Sequence, residues 1–110
     1  IALGKYLDGD ISLFYGTHTH VQTADETILE KGTGYITDLG MTGTLDGVLG
    51  MKKEIAFKRF LTTLPEKYIE ETKGKKYMHG VLYILEKNND NKYNGGKYIV
   101  TEIERLKVEV

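Results

Sequence analysis

Apolar residues open the chain at helical spacing. Leu3 and Leu7 lie four apart with Ile1 beside them, and Gly9 stands where a helix C-terminus is commonly closed. The pattern predicts a helix over 1–7 with neither an initiator Met nor a capping residue before it, so the chain is expected to enter from something longer. After the Asp8-Gly9-Asp10 turn, Ile11-Ser12-Leu13-Phe14-Tyr15 is a nearly continuous apolar run, the pattern of a strand buried on both faces, and it stops at Gly16. A polar stretch runs from Thr17 to Asp25. Thr27-Ile28-Leu29 then leads through Glu30-Lys31-Gly32 into a second strand over Thr33–Asp38. The glycines of Gly40-Met41-Thr42-Gly43 and Asp46-Gly47-Val48-Leu49-Gly50 predict a long irregular loop. Loops of that length usually carry function.

Met51, Ile55 and Phe60, with Lys52, Lys53, Lys58 and Arg59 between them, fit a short amphipathic helix, although Ile55-Ala56-Phe57 also fits a strand. Pro65 separates this segment from the C-terminal part of the chain. Beyond it, Tyr77–Leu85 and Lys97–Val110 are β-rich, with Leu106, Val108 and Val110 alternating against charged neighbours. They flank Asn88-Asn89-Asp90-Asn91 and Asn94-Gly95-Gly96, so a long-looped antiparallel hairpin is expected.

The 110 residues allow one core, and 40% hydrophobic with 28% charged side chains is the composition of a soluble globular protein. Fifteen basic and sixteen acidic side chains, a formal net charge of -1, leave no global field to recruit nucleic acid or an anionic membrane. An anionic substrate has to be held locally. The lack of cysteine excludes thiolate nucleophiles, Cys-ligated zinc and disulfides and suits a reducing cytoplasm, the expected location. No apolar run nears the roughly 20 residues that span a bilayer.

Chemistry concentrates where the first strand ends. In extended backbone, His18 and His20 would project to one side roughly 7 Å apart. Neutral imidazole is a common ligand for borderline transition metals, and ligands collect at strand ends in open sheets. Loop histidines without a ligand are the plain alternative. A catalytic centre takes at least three protein ligands, so further ones would have to come from elsewhere. Other candidates fall away. Asp8-Gly9-Asp10 lacks the acidic series of a calcium loop, Gly32-Thr33-Gly34 lacks a third glycine or a phosphate-gripping Lys, and Ser12 has no nucleophile elbow. His79, between Met78 and Gly80, reads as structural. The lysine clusters, with Glu54, Glu70 and Glu71 interleaved, read as solvated faces, so no stable nucleic-acid binding is expected.

Three segments, Gly16-Thr17-His18-Thr19-His20-Val21-Gln22-Thr23-Ala24-Asp25, Tyr35-Ile36-Thr37-Asp38-Leu39-Gly40-Met41-Thr42-Gly43 and Lys58-Arg59-Phe60-Leu61-Thr62, together resemble the bacterial YmdB-type branch of the calcineurin-like metallophosphoesterases. The resemblance covers roughly residues 1 to 65. It implies an α/β fold, with residues 1–66 the C-terminal part of a four-layer α/β/β/α sandwich and 67–110 a hairpin-rich extension of the same domain. It also implies two divalent metal ions, iron or manganese, and hydrolysis of a small phosphodiester or nucleotide such as a cyclic nucleotide. On that mapping His18 and His20 are metal ligands, while Thr17, Thr19 and Asp25 support them or shape the loop. The family's remaining ligands and its general acid fall upstream of Ile1, so the catalytic residues are unassigned and the chain alone is expected to be inactive. Thr44-Leu45 departs from the family, which often has proline there, and the tail from Tyr68 looks longer than the usual ending. A homo-oligomer stays open, as does the alternative of a non-catalytic binding module with a structural ion or none at the histidines.

Overall fold

The computed structural model describes residues 1–89 and 97–110. The opening helix forms as the spacing predicts. It runs Ala2–Tyr6 (α1), and Gly9 lies beyond it at φ 90, a left-handed conformation that glycine adopts without a Cβ penalty. The Asp8-Gly9-Asp10 segment is a turn. The buried Asp8 carboxylate accepts from the Lys31 and Thr33 amides, and the Gly9 amide donates to Thr33 Oγ1 at 2.8 Å.

The first strand, Leu13–Tyr15 (β1), pairs in parallel with Gly34–Ile36 (β3), and Thr27–Ile28 (β2) pairs antiparallel to β3 on the other side. Sheet order is therefore β1-β3-β2. This corrects the expectation of a first strand buried on both faces. Among the described residues β1 lies at the sheet edge with Leu13 and Phe14 half-buried and Tyr15 52% exposed, and it is the central β3 that is buried throughout. Phe14 stacks on Tyr35 with ring centroids 5.7 Å apart, and α1 lies against the same tyrosine through Gly4, where a Cβ would stand 2.7 Å from the ring.

Within the glycine-rich loop the structure shows order that the glycines concealed. Gly43–Thr44 (β4) is a two-residue strand paired with the hairpin at Lys76 and Tyr77. The segment after Met51 is helix rather than strand, spanning Lys53–Thr62 (α2) and ending at Thr63 in left-handed geometry, two residues before Pro65. Its apolar face is not covered: Phe57, Phe60 and Leu61 are exposed and Ile55 only half-buried.

The antiparallel hairpin is present as expected, Lys76–Lys87 (β5) against Tyr98–Glu109 (β6), giving a second sheet of order β4-β5-β6. A bulge falls where Ile84 faces Glu102 but Leu85 faces Val100. Asn88 and Asn89 leave β5 with their amides bonded to the Lys97 and Lys87 carbonyls; the rest of the expected Asn-rich connection, residues 90–96, lies outside the described residues.

Contacts to the first sheet hold the hairpin in place. Val100 is buried over Gly34, its amide donates to the Gly32 carbonyl at 2.9 Å, and Arg105 pairs with Glu26 at 2.8 Å. Among the described residues, the buried hydrophobic side chains are Tyr35, Ile36 and Val100, which places the core at the junction of the two sheets. The Cα radius of gyration is 17.9 Å, against about 13 Å for a compact chain of this length.

Candidate functional site

The loop that carries the histidines begins at Gly16. A Cβ there would lie 2.3 Å from the Thr37 carbonyl oxygen, so only glycine lets β1 exit this close to the end of β3. The Gly16 carbonyl accepts from the Leu39 amide at 2.9 Å, and the two strand exits are thereby tied together.

Residues 18–21 then form a bend, and His20 has φ 64. The extended geometry expected for His18-Thr19-His20 is therefore not what the chain adopts. The bend has an identifiable cause in Asp38, which is 1% exposed. One oxygen of its carboxylate accepts from Thr19 N at 2.7 Å and from Thr19 Oγ1 at 2.8 Å, and the other accepts from Gly40 N at 2.8 Å. The residue between the histidines is thus clamped by a buried anion. Burial raises the Asp38 pKa, but the bonds from Gly40 and Thr19, aided by the nearby His20, outweigh it and leave the carboxyl below the ordinary aspartate range. Asp38 belongs to a segment singled out in the sequence, yet nothing there assigned it a role. The available signal was an aspartate two residues past the end of β3, at the start of the loop, where a carboxylate readily collects loop amides.

His20 is oriented a second time, from the other side. Its Nδ1 lies 3.1 Å from the Leu49 carbonyl oxygen. A carbonyl only accepts, so Nδ1 carries the proton, and in the neutral ring the lone pair stands on Nε2. Backbone carbonyls placed behind metal-binding imidazoles impose the same arrangement. His18 and Thr17 are exposed in the same loop, before Thr19. Asp25 sits at the loop's far end and accepts from Thr23 Oγ1 at 2.6 Å, from Thr37 Oγ1 and from the Thr37 amide at 3.1 Å. Burial works against ionisation of Asp25, the threonine hydrogen bonds prevail, and its pKa is lowered. It shapes the loop and makes no described contact with the histidines.

A donor set of two imidazoles, one already oriented by a carbonyl, fits part of a metal centre. Among the described residues no group of three or more His, Cys, Asp or Glu converges, so these residues fit as a share of a centre rather than as a whole one.

The hairpin closes on this loop. Gln22 Nε2 donates to the Gly80 and Leu106 carbonyls, both at 3.0 Å, and His79 Nδ1–H donates to the Met41 carbonyl at 2.6 Å. His79 is structural in the sense expected, but it also lines a cavity of about 470 Å3 together with His20. That shared cavity was invisible in the sequence, where the two residues stand far apart.

The YmdB-like protein family model matches residues 1–96. The chain belongs to the YmdB-like family. The match runs well beyond residue 65, where the likeness visible in the sequence stopped, and takes in β5. The chain is 56% identical over 82 residues to a Bacillus subtilis (strain 168) protein named 2′,3′-cyclic-nucleotide 2′-phosphodiesterase, an alignment covering 74% of the chain and 31% of that protein. Among solved structures it resembles a hypothetical protein from Thermus thermophilus, with TM-score 0.80, 37% identity, 98% of the chain and 38% of the other covered. It also resembles a novel phosphatase of Mycoplasma pneumoniae, with TM-score 0.79, 31% identity, and 98% and 36% covered. Both likenesses include the hairpin, so the mixed α/β arrangement of this YmdB-like chain is shared over nearly its whole length. The chain spans about a third of the length of these relatives. Among the described residues, no helix is long and apolar enough to cross a membrane.

Proposed function

We propose that the protein carrying this YmdB-like chain is a metal-dependent phosphodiesterase acting on small phosphodiesters, 2′,3′-cyclic nucleotides among them. Its fold would be the four-layer metallophosphoesterase sandwich, completed by segments outside these residues. The observation that carries the reading is the doubly fixed imidazole loop, with Thr19 clamped by buried Asp38 and His20 turned by the Leu49 carbonyl so that Nε2 is presented. Names of relatives agree: one is called a 2′,3′-cyclic-nucleotide 2′-phosphodiesterase and another a phosphatase.

On this reading His18 and His20 hold divalent ions, iron or manganese, with the remaining ligands and the general acid on segments outside these residues. Bound there, a pair of divalent ions supplies Lewis-acid polarisation of a phosphoryl group. This chain's own contribution is preorganisation. Asp38 holds the histidine loop, the Leu49 carbonyl fixes the tautomer of His20, and Asp25 holds the segment that returns to β2.

The test is substitution in the full-length protein. His18→Ala and His20→Ala should each lower metal content, measured by inductively coupled plasma mass spectrometry, and reduce turnover of 2′,3′-cyclic AMP by about 100-fold or more, since even residues behind the ligands are worth 10- to 100-fold. Unchanged metal stoichiometry and rate in both variants would end the assignment of His18 and His20, and absence of hydrolysis by the unaltered full-length protein would favour a non-catalytic module instead.

A further inference from the structure

The cavity beside His20 has three walls from separate parts of the chain: the histidine loop, the Met41–Leu49 loop and the face of the hairpin that carries His79 and Lys107. Each wall is bonded to another. Gln22 joins the histidine loop to the hairpin, His79 joins the hairpin to Met41, and His20 joins the histidine loop to Leu49. The space is therefore held open by the fold. Its volume, about 470 Å3, lies inside the range of about 300–1,000 Å3 typical of small-molecule sites.

Its chemistry is uneven in an informative way. Met41, Leu45, Val48 and Leu49 make one side apolar, and among the described residues no carboxylate lines it and its one formal charge is Lys107. Lys107 is the cross-strand partner of His79, and its Nζ stands 4.6 Å from the Tyr77 ring centroid, so the cation is held toward one end of the hairpin face. An apolar slot with a single cation and two imidazoles suits a ligand that is flat and apolar at one end and anionic at the other.

We infer that this cavity is a nucleoside pocket, which receives the heterocycle of a nucleotide whose phosphodiester lies at His20, with Lys107 facing its negative charge. The inference rests on the phosphodiesterase reading and adds what that reading lacks, the origin of a preference for nucleotides over other phosphodiesters. Val48 and Leu49 would cover the base, and Lys107 would select for the anion.

Two substrates with the same reacting group separate the base from the chemistry: 2′,3′-cyclic AMP and methyl riboside 2′,3′-cyclic phosphate, which has no base. For the full-length protein, kcat/KM should favour the nucleotide by about tenfold or more, equivalent to about 1.4 kcal/mol of apolar burial. Val48→Trp, which fills the slot, should bring that ratio close to one. Lys107→Glu, a surface change that leaves the hairpin ladder intact, should weaken binding of adenosine 3′-monophosphate, titrated calorimetrically, by about tenfold. A ratio near one in the unaltered protein, or a ratio unmoved by Val48→Trp together with nucleotide binding unmoved by Lys107→Glu, overturns the pocket. Nucleotide binding that both variants weaken, without hydrolysis of either substrate by the unaltered protein, keeps the pocket and removes the phosphodiesterase reading. Neither hydrolysis nor binding removes both.

Discussion

Replacing Asp38 tests whether a buried carboxylate shapes the histidine loop. Its two oxygens receive three hydrogen bonds, two from Thr19 at one oxygen and one from Gly40 at the other. Hydrogen bonds to a charged group contribute about 1.5–3 kcal/mol each. Thr19 is exposed, however, so water can recover part of its two bonds once the carboxylate is gone. A net loss of about 2–4 kcal/mol is expected for Asp38→Ala. Asp38→Asn is the sharper variant because it keeps the shape. One side of an amide is a donor, so whichever way it turns, either Gly40 N or the Thr19 pair meets an N–H instead of an oxygen. The amide should turn its oxygen to Thr19, sacrifice the Gly40 bond, and cost about 1–3 kcal/mol. In the full-length protein those losses correspond to melting points lower by roughly 2–4 °C per kcal/mol. Metal content should fall as well, since His18 and His20 flank the residue being released. If both variants melt within about 1 °C of the parent and bind metal normally, Asp38 does not anchor the loop.

Gln22→Ala removes two hydrogen bonds to hairpin carbonyls and should destabilise by about 1–3 kcal/mol, with faster amide exchange at Gly80 and Leu106 as the specific readout. Asp25 gives a pH dependence of known sign. Its folded pKa is lowered, so its contribution is fully present above the unfolded value near pH 4 and is lost as pH falls through the folded value. Asp25→Asn should therefore narrow the stability gap to the parent as pH drops from about 5 toward 3, followed by urea midpoints; a gap constant over that window would contradict the assignment.

The parts of the fold legible in the sequence were those set by local periodicity. The α1 spacing with its Gly9 stop, and the two-residue alternation at the end of β6, need no distant partner to be recognised. What was misread depended on tertiary position. β1 has the composition of a central strand, but among the described residues it pairs on one side only, with β3, and Tyr15 is turned outward. β4 is two residues long and exists because the hairpin offers Lys76 and Tyr77 as partners, which no window around Gly43 contains. α2 forms as its spacing predicts, yet its apolar stripe faces outward, with Phe60 84% exposed. Periodicity says which face can be buried and is silent on what covers it.

At the site the imbalance is larger, and the backbone explains why. His18 and His20 are conspicuous as residue types, but the bend that arranges them comes from Asp38, 18 residues after His20, and from Leu49, reached only through the glycine-rich loop. His20 at φ 64 and Leu49 at φ 52 both occupy left-handed backbone, where glycine is the default and a bulky side chain is an outlier. Such residues cost about 1–3 kcal/mol each and persist only where their surroundings over-determine them. Here the two strained residues are hydrogen-bonded to one another, His20 Nδ1 to the Leu49 carbonyl. Glycine at position 20 would relieve the first strain but remove the imidazole. A relaxed backbone at Leu49 would redirect the carbonyl that sets the tautomer. The strain therefore has a direct structural consequence: it commits one ring nitrogen to the Leu49 carbonyl and leaves the lone pair on the other.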